Sequence, residues 1–381
     1  MDKPKVFAWV RSMQKLLLFT SFLISPLLMA NTIDVYFGTS GKETKGIYRS
    51  TFDTQSGKLG QHELAAEIGS PGFLAMDKDQ SHLYAVGSKS EPVVAAYEIE
   101  KDGKLTLLNT EAIGDGGAAH ISVHPSGKFL MTAQYGAGST AVFPINKDGS
   151  VGKRSQLIKH KGGSGVVESR QKTPHPHYIG YSPDGRFAFV PDLGLDKVMI
   201  YKVDEKKGSV SSHGHARTVP GGGPRHMKFS KDGKYIYLLN ELELSVTSFA
   251  YNAKAGTTER RTTTPALSVD AKSRQEFNSS AEILVHPNGK FVYSSNRGDD
   301  TVSLYWANEK SGHLAVKDVE NVRGAFPRNI NYDPTANWML AAGQHSNTVS
   351  VFSIDQKSGE MDYQVGNIIN VPGPICILFK D

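Results

Sequence analysis

One strand–turn–strand unit recurs along this chain, and the repetition limits the possible folds more than any other feature of the sequence. Each copy has an apolar run, a turn of the type Pro-Asp-Gly-Lys and a second apolar run. The clearest copies are ISVHPSGKFLMTA (121–133), IGYSPDGRFAFVP (179–191), MKFSKDGKYIYLL (227–239) and ILVHPNGKFVYSS (283–295). Weaker copies are LAMDKDQSHLYAV (74–86) and INYDPTANWMLAA (330–342). Such turns between runs of β-branched and aromatic residues indicate hairpins, and their recurrence indicates a repeat fold.

The repeating unit is longer than one hairpin. A third apolar segment follows most copies, for example KVMIYKVD and TVSLYWAN, and a Gly-containing turn then leads to a fourth. The turn residues that mark the six copies are Gln80, Gly127, Gly185, Gly233, Gly289 and Ala336. Four short strands in a unit of roughly 50 residues are typical of one blade of a β-propeller.

The two ends of the repeated region complete each other. Residues 372–378 resemble the first strand of a blade but no second strand follows them, whereas residues 33–52 supply later strands without a first. Joined, they make a seventh blade and leave no long exposed sheet edge. The sequence therefore predicts an all-β fold, a seven-bladed β-propeller of four-stranded blades, closed by N- and C-terminal strands that share one blade.

The first thirty residues differ from the rest. Four basic residues precede the apolar run Leu16–Leu28, and Leu-Met-Ala then precedes Asn31. This order is typical of a secretory signal peptide, and the run is shorter than the roughly 20 residues that a spanning helix needs. We expect a signal peptide at 1–30, a propeller domain at 31–381 and a periplasmic mature protein. A retained anchor, and a start at Met13, stay open as alternatives.

Charge and cysteine content exclude several classes of partner. The net charge of the whole chain is +5, and residues 1–30 contribute +3 of it, so the mature chain carries only +2. Such a small charge argues against nucleic acid or an anionic membrane as partner. Cys376, the only cysteine, cannot form an internal disulfide and lies in an apolar run typical of a buried strand. We expect a monomer that binds a small molecule.

Polar side chains concentrate at one end of the predicted blades. If each turn is a two-residue hairpin, residues eight positions before and after it should meet at the end of the blade remote from the turn. These positions include His177, Arg225, Glu241, Arg297, Arg328 and Gln344, and positions one residue inward include His120, Asn240 and Glu282. We interpret His177, Arg225, Glu241 and Arg297 as catalytic candidates and the other five as substrate-binding candidates.

The chemistry of the residues at these nine positions indicates what they could bind and catalyse. Arginine binds carboxylate or phosphate with two parallel hydrogen bonds, whereas Glu and His can move protons. The arrangement suits an anionic substrate on which an oxyanion develops. Alternatively, Arg225 and Glu241 form an ion pair that is only structural.

The sequence offers little support for a metal, a cofactor or a serine nucleophile. His175 and His177, and His213 and His215, are HxH pairs, but no further ligands follow at metal-binding spacing. No GxSxG segment is present, and Gly221–Gly223 lacks the phosphate-loop pattern. We expect neither metal nor cofactor.

Three segments carry a family resemblance. TPHPHYIGYSPDGRFAFVPDLGLDKVMIYKVD (173–204), GPRHMKFSKDGKYIYLLNE (223–241) and SAEILVHPNGKFVYSSNRGDDTVSLY (280–305) closely resemble the seven-bladed lactonase family. That family includes propeller-type 6-phosphogluconolactonases and the fungal carboxy-cis,cis-muconate lactonizing enzymes. The resemblance spans residues 32–381. In the muconate branch it implies active-site roles for His177, Arg225, Glu241 and Arg297.

The resemblance implies a cofactor-free enzyme that hydrolyses a sugar lactone, either 6-phosphogluconolactone or an unphosphorylated aldonolactone. The predicted signal peptide favours the latter, because the phosphorylated substrate is cytoplasmic. Two alternatives stay open: cycloisomerisation of a carboxymuconate by the same four residues, and a non-catalytic exported propeller that binds a protein or ligand.

Overall fold

The computed structural model describes residue 1 and residues 32–380. The chain from Thr32 onward forms one compact unit. Apart from Met1, the predicted signal peptide lies outside the described residues. Within the described part, no helix is long and apolar enough to cross a membrane.

Residues 32–380 form 28 strands and one short helix, α1 (Val269–Ser273). Three strands come first: β1 (Thr32–Thr39), β2 (Gly46–Asp53) and β3 (Glu63–Glu67). Blade 1 consists of β4 (Gly69–Met76), β5 (His82–Ser88), β6 (Pro92–Ile99) and β7 (Leu105–Ala112). Blade 2 consists of β8 (His120–Val123), β9 (Phe129–Gln134), β10 (Ser139–Pro144) and β11 (Gln156–Lys159). Blade 3 consists of β12 (Gly180–Tyr181), β13 (Phe187–Asp192), β14 (Lys197–Asp204) and β15 (Ser209–Arg217).

The remaining blades repeat this order. Blade 4 consists of β16 (Pro224–Phe229), β17 (Tyr235–Asn240), β18 (Ser245–Asn252) and β19 (Thr257–Pro265). Blade 5 consists of β20 (Ser279–Val285), β21 (Phe291–Arg297), β22 (Thr301–Ala307) and β23 (Leu314–Asn321). Blade 6 consists of β24 (Pro327–Tyr332), β25 (Trp338–Gly343), β26 (Thr348–Ile354) and β27 (Met361–Asn370). The last strand is β28 (Pro374–Lys380).

The seventh blade joins the two ends of the propeller, in the strand order β28-β1-β2-β3. Strand β28 pairs antiparallel with β1, so that Phe37 faces Ile377 and Val35 faces Phe379. The predicted fold is confirmed: seven four-stranded sheets, with one blade shared by N- and C-terminal strands. Cys376 is buried in β28, and burial raises the pKa of its thiol to about 12.

The recurring turn is wider than the two-residue hairpin assumed from the sequence, and that premise was wrong. In blade 4 the last strand pair is Phe229 with Ile236, and the Ser230 amide donates to the Tyr235 carbonyl at 2.8 Å. Four residues therefore lie between Ser230 and Tyr235. Gly233 has φ +70°, and in the weaker copies Gln80 and Ala336 take the same left-handed conformation at φ +53° and +55°.

Apolar faces of neighbouring blades pack together around the ring. Leu239 and Val246 of blade 4, for example, form one cluster with Ile283 and Val292 of blade 5. Because both faces of each blade are covered, the second strands β9, β13 and β21 are buried at every position. The first strands β16, β20, β24 and β28 contact one another in series, which brings their side chains toward the centre of the ring.

Candidate active site

Irregular strand pairing places the central arginines. The register of β16 with β17 shifts between Pro224 and Met227, and Arg225 lies within that shift. In β24 the register shifts between Pro327 and Asn329, around Arg328. A β-bulge redirects a side chain from the regular alternation. The bulges therefore let these arginines depart from the alternating pattern of a regular inner strand.

Glu241 lies at the centre of the polar cluster. It follows β17 directly, and its backbone amide donates to the Gly223 carbonyl at 2.8 Å. Its Oε2 atom accepts from Arg225 Nε at 3.0 Å and lies 3.3 Å from Arg297 Nη2. Its Oε1 atom accepts from Arg170 Nη2 at 2.8 Å. Three guanidinium groups therefore surround one buried carboxylate.

Arg170 was missed by the sequence analysis. It lies in the segment between β11 and β12, and its Nη2 also donates to the Tyr135 hydroxyl at 3.1 Å. That segment is outside the repeated unit, so turn spacing could not reach it. The length of the segment was the available signal, because long loops within compact domains are commonly functional.

The two inner arginines are held in part by backbone carbonyls. Arg225 Nη1 donates to the Ala281 carbonyl, and Arg297 Nη2 donates to the Ser280 carbonyl at 3.0 Å. These acceptors lie on β20, the first strand of blade 5. The positions of both guanidinium groups are thus fixed by the inner strands and not by the carboxylate alone.

Burial and charge shift the pKa values in this cluster. Burial raises the pKa of Glu241, but Arg297 and Arg225 together with other cations lower it more, so that it lies well below its ordinary value. Burial, with the charge of Arg297, lowers the pKa of Arg225 to about 9 and that of Arg328 to about 10. At neutral pH the carboxylate is therefore ionised and both guanidinium groups stay protonated.

Two adjoining cavities open onto this cluster. One, of about 350 Å³, is lined by residues that include Phe73, Arg225 and His226. The other, of about 470 Å³, is lined by residues that include Arg170, Glu241 and Arg297. His177 and Arg328 line both. These volumes are in the range of small-molecule sites.

His177 is a buried neutral imidazole beside these cations. Its backbone amide donates to the Pro191 carbonyl at 3.0 Å, which fixes it ahead of β12. Burial, and next the charge of Arg225, hold the pKa of His177 well below its ordinary value. Its buried Nδ1 atom has no hydrogen-bond partner among the described residues. The ring is thus unprotonated at neutral pH.

The structure brings His177, Arg225, Glu241, Arg297 and Arg328 together around the two cavities. The other candidates have different surroundings. Asn240 bonds to Ser245 and Thr247 of blade 4 and to Thr218, in the connection between β15 and β16. Glu282 lies one layer deeper, bonded to His226 at 2.9 Å and to Asn329 at 2.7 Å.

The remaining two predicted substrate-binding residues lie beside the cluster. His120 packs between the rings of Phe73 and Tyr178, with centroids 4.0 and 4.3 Å away, and its Nδ1 accepts from the Ile179 amide. Gln344 has a backbone amide that donates to the Phe326 carbonyl, while its buried Oε1 atom has no partner among the described residues.

Phe326 is a second residue that the sequence analysis missed. Its ring lies 5.1 Å from the Arg297 guanidinium and stacks on Phe277 and His345. Phe326 has φ +63°, which is unfavourable for an aromatic residue, and its amide donates to Asp300 Oδ1 at 2.7 Å. Strain held at such a position commonly marks a functional site.

Within residues 32–380, no group of three or more His, Cys, Asp or Glu side chains is placed to hold a metal ion. One histidine of each HxH pair has another partner. His175 Nδ1 lies 2.9 Å from the Tyr135 carbonyl, and His213 Nε2 lies 2.7 Å from the Ala255 carbonyl.

Comparison with known proteins identifies the family. The family model described as "Lactonase, 7-bladed beta-propeller" matches residues 34–379. The 6-phosphogluconolactonase of Bacillus subtilis (strain 168) is 33% identical over 350 residues, 90% of this chain and 98% of that protein. The 6-phosphogluconolactonase of Formosa agariphila is 32% identical over 335 residues, 85% of this chain and 92% of that protein.

Solved structures agree with this match. The periplasmic gluconolactonase of Pseudomonas aeruginosa superposes with a TM-score of 0.84 at 27% identity, over 92% of this chain and 99% of that one. A candidate 6-phosphogluconolactonase of Bacteroides fragilis superposes with a TM-score of 0.85 at 30% identity, over 93% of this chain and 100% of that one. The chain belongs to the seven-bladed β-propeller lactonase family.

Proposed function

We propose that this protein hydrolyses the lactone of a sugar acid, and that the substrate is an unphosphorylated aldonolactone. Such a lactone is neutral, so in this proposal the arginines meet negative charge in the transition state and not, as the sequence suggested, on the substrate itself. The observation that carries the proposal is the neutral His177 beside a cluster of arginines, on the wall that two cavities share. The names of the relatives support lactone hydrolysis as the class of reaction.

Glu241 is not the general base in this proposal. With its pKa held well below the ordinary value and three arginines bound to it, the carboxylate has little tendency to take a proton. Its role is to hold the arginines in place. We assign the proton instead to His177, which lines both cavities and forms no ion pair among the described residues.

The reaction follows from these positions. Water attacks the lactone carbonyl carbon while His177 takes one of its protons. The negative charge that develops on the carbonyl oxygen is stabilised by guanidinium N–H groups, as in an oxyanion hole. Arg328 suits this role, because it lines both cavities and its guanidinium group forms no hydrogen bond or ion pair with residues 32–380. The ring C–O bond then breaks, and the His177 proton passes to the leaving oxygen.

Acid release from glucono-1,5-lactone and from 6-phosphoglucono-1,5-lactone, followed in a pH-stat with purified protein, tests the proposal. We expect acceleration over spontaneous opening for the unphosphorylated lactone, and loss of that acceleration in His177→Ala. Spontaneous rates with both lactones would overturn the sugar-lactonase assignment. Faster turnover of the phosphorylated lactone would overturn the choice of substrate.

We also propose that the mature protein is periplasmic and begins near Asn31. The order of basic, apolar and small residues in positions 1–30 supports export, as does similarity to a protein described as a periplasmic gluconolactonase. Mass spectrometry of the N-terminus from fractionated cells tests this. Recovery of the chain in the cytosol with Met1 or Met13 intact would contradict it.

A further inference from the structure

Three histidine rings meet at the wall of the two cavities, where His177 and His226 are lining residues. The His226 ring centroid lies 5.2 Å from that of His177 and 5.4 Å from that of His120. Two of their ring nitrogens, His177 Nδ1 and His226 Nε2, are buried and have no hydrogen-bond partner among the described residues. Buried polar atoms are rarely left unpaired, so two on adjacent rings require an explanation.

A chain of hydrogen bonds fixes the His226 ring. His226 Nδ1 lies 2.9 Å from Glu282 Oε1, and Asn329 Nδ2 donates to Glu282 Oε2 at 2.7 Å. The Ile377 amide in turn donates to Asn329 Oδ1 at 2.9 Å. The bonds cross from β16 to β20, β24 and β28, the first strands of four consecutive blades.

These contacts determine which His226 nitrogen carries the proton. Burial, with the charge of Arg225, holds the pKa of His226 well below its ordinary value, so the ring is neutral at neutral pH. A carboxylate accepts hydrogen bonds, so the single ring proton lies on Nδ1, facing Glu282. The unpaired Nε2 atom therefore carries a lone pair and can only accept.

His177 is placed to supply the matching donor. The planes of the two rings are inclined by 62°. An N–H···N hydrogen bond of about 3 Å joining two imidazole edges gives a centroid separation of about 5 Å. The observed centroid separation of 5.2 Å is therefore compatible with a hydrogen bond from His177 Nδ1–H to His226 Nε2 after reorientation of the His177 ring. The edge that carries Nε2 would remain for the cavities that His177 lines.

We propose that Glu282 and His226 are positioning residues that hold His177 in one tautomer, with its proton on Nδ1 and the lone pair of Nε2 directed to substrate. The catalytic role of this tautomer rests on the proposed function. The existence of the tautomer does not depend on that function. Third groups that orient a catalytic imidazole recur among hydrolytic enzymes on unrelated folds.

The substitutions His226→Asn and His226→Gln separate the two ends of the His226 ring. An Asn amide can replace Nδ1 as the donor to Glu282 but offers no acceptor at the Nε2 position, whereas the Gln carbonyl reaches that position. We expect His226→Asn to lower kcat on the lactone that the wild type turns over by 10- to 100-fold, with KM within two-fold. His226→Gln should recover most of the loss.

Histidine ¹⁵N NMR gives a readout that does not need turnover. The His177 signals, assigned by their loss in His177→Gln, should report the Nδ1–H tautomer in the wild type and a mixture of tautomers in His226→Asn. If the wild type opens no lactone but the His177 tautomer still differs between the wild type and His226→Asn, the proposed function fails and the positioning role stands. An unchanged His177 tautomer in His226→Asn overturns the positioning role.

His286→Asn is the matched control. His286 is also buried. Its Nε2 lies 3.1 Å from the carbonyl of Ala336, which is in the turn between β24 and β25 of blade 6. It should leave kcat and the His177 signals unchanged, whatever its effect on melting temperature. Equal losses of kcat in the Asn and Gln variants of His226 would also overturn the proposal, because a packing defect alone would then account for both.

Discussion

At the scale of single residues, the charge of Glu241 depends on its neighbours more than on its exposure. Removing it leaves Arg225, Arg297 and Arg170 without their shared carboxylate, two of them buried. Breaking a buried ion pair on one side typically costs about 3–5 kcal/mol. We expect Glu241→Gln to lower the free energy of unfolding at pH 7 by that amount, measured by urea denaturation.

The loss should depend on pH in a definite direction. The pKa of Glu241 is lower in the folded chain than its ordinary value of 4.5, so its ionisation stabilises the fold fully above that value. The contribution is lost as pH falls below 4.5 toward the folded-state pKa. The difference between wild type and Glu241→Gln should therefore shrink on acidification, whereas exposed Glu276→Gln should differ little at any pH. A difference that grows with acid would contradict this account.

A second residue-scale prediction concerns the shape of a cation. Arg297→Lys keeps the charge but loses the guanidinium fork that contacts Glu241 and the Ser280 carbonyl. Loss of a charged hydrogen bond costs about 1.5–3 kcal/mol, so kcat/KM should fall about 10- to 100-fold in the lactonase assay.

Arg186→Lys is the control for that measurement. Arg186 lies in the turn of blade 3, where it bonds to Asp184 and to the Ala253 carbonyl. Its replacement should change kcat/KM by less than two-fold. Equal effects of Arg297→Lys and Arg186→Lys on kcat/KM would show that Arg297 does not act in the site.

What the sequence could predict at this scale follows from periodicity. His177, Arg225, Glu241 and Arg297 stand at fixed distances from a repeated turn, so spacing brought them together even though the assumed hairpin was too tight. Arg170 comes from a segment with no repeat to count from. Asn240 was chosen by the same spacing, but its side chain bonds to Ser245, Thr247 and Thr218 and lines neither cavity. Spacing alone does not determine the direction in which a side chain points.

At the scale of elements, the connection between β23 and β24 carries a conformational cost beside the site. Phe326 stays left-handed because Asp300 and Gln344 bind its amide and carbonyl, and its ring covers Arg297. Strain of this kind costs about 1–3 kcal/mol. We expect Phe326→Gly and Phe326→Ala to lose similar activity, about 2- to 30-fold for a cation–π contact, while the Gly variant melts at the higher temperature.

Arg323, in the same connection, allows a comparison away from the cavities. It is also left-handed, at φ +56°. Arg323→Gly should likewise be more stable than Arg323→Ala, with kcat/KM unchanged in both. Full activity of both Phe326 variants would show that the ring does not position Arg297.

The bulges were the least predictable elements. Alternation of apolar and polar residues predicts a regular inner strand, and nothing in Pro224–Phe229 alone announces the shift beside Arg225. The turns were easier to predict from the sequence, because few residues can replace Gly at a left-handed position. Even there, Gln80 and Ala336 adopt that conformation, which is why their copies were the weaker ones.

At the scale of the whole molecule, stability depends on the contact between the first and last strands. Ile377 of β28 is 2% exposed and belongs to a cluster that joins blades 6 and 7. Truncating a buried Ile typically costs about 2–5 kcal/mol. We expect Ile377→Ala to lower the free energy of unfolding by that much, whereas Val365→Ala, at 91% exposure, should change it by less than about 0.5 kcal/mol. Equal stability of both variants would mean that closure contributes little.

The pairing of β1 with β28 also imposes an order on events during synthesis. Strand β1 is made early, but its partner at Pro374–Lys380 is translated more than 330 residues later. At about 5–20 residues per second, the free edge of β1 waits roughly 20 to 70 s for it. During that interval the emerging chain presents an unpaired strand to every other protein nearby. The edge of β1 therefore stays unpaired until the C-terminal strand has been released from the ribosome and has folded against it.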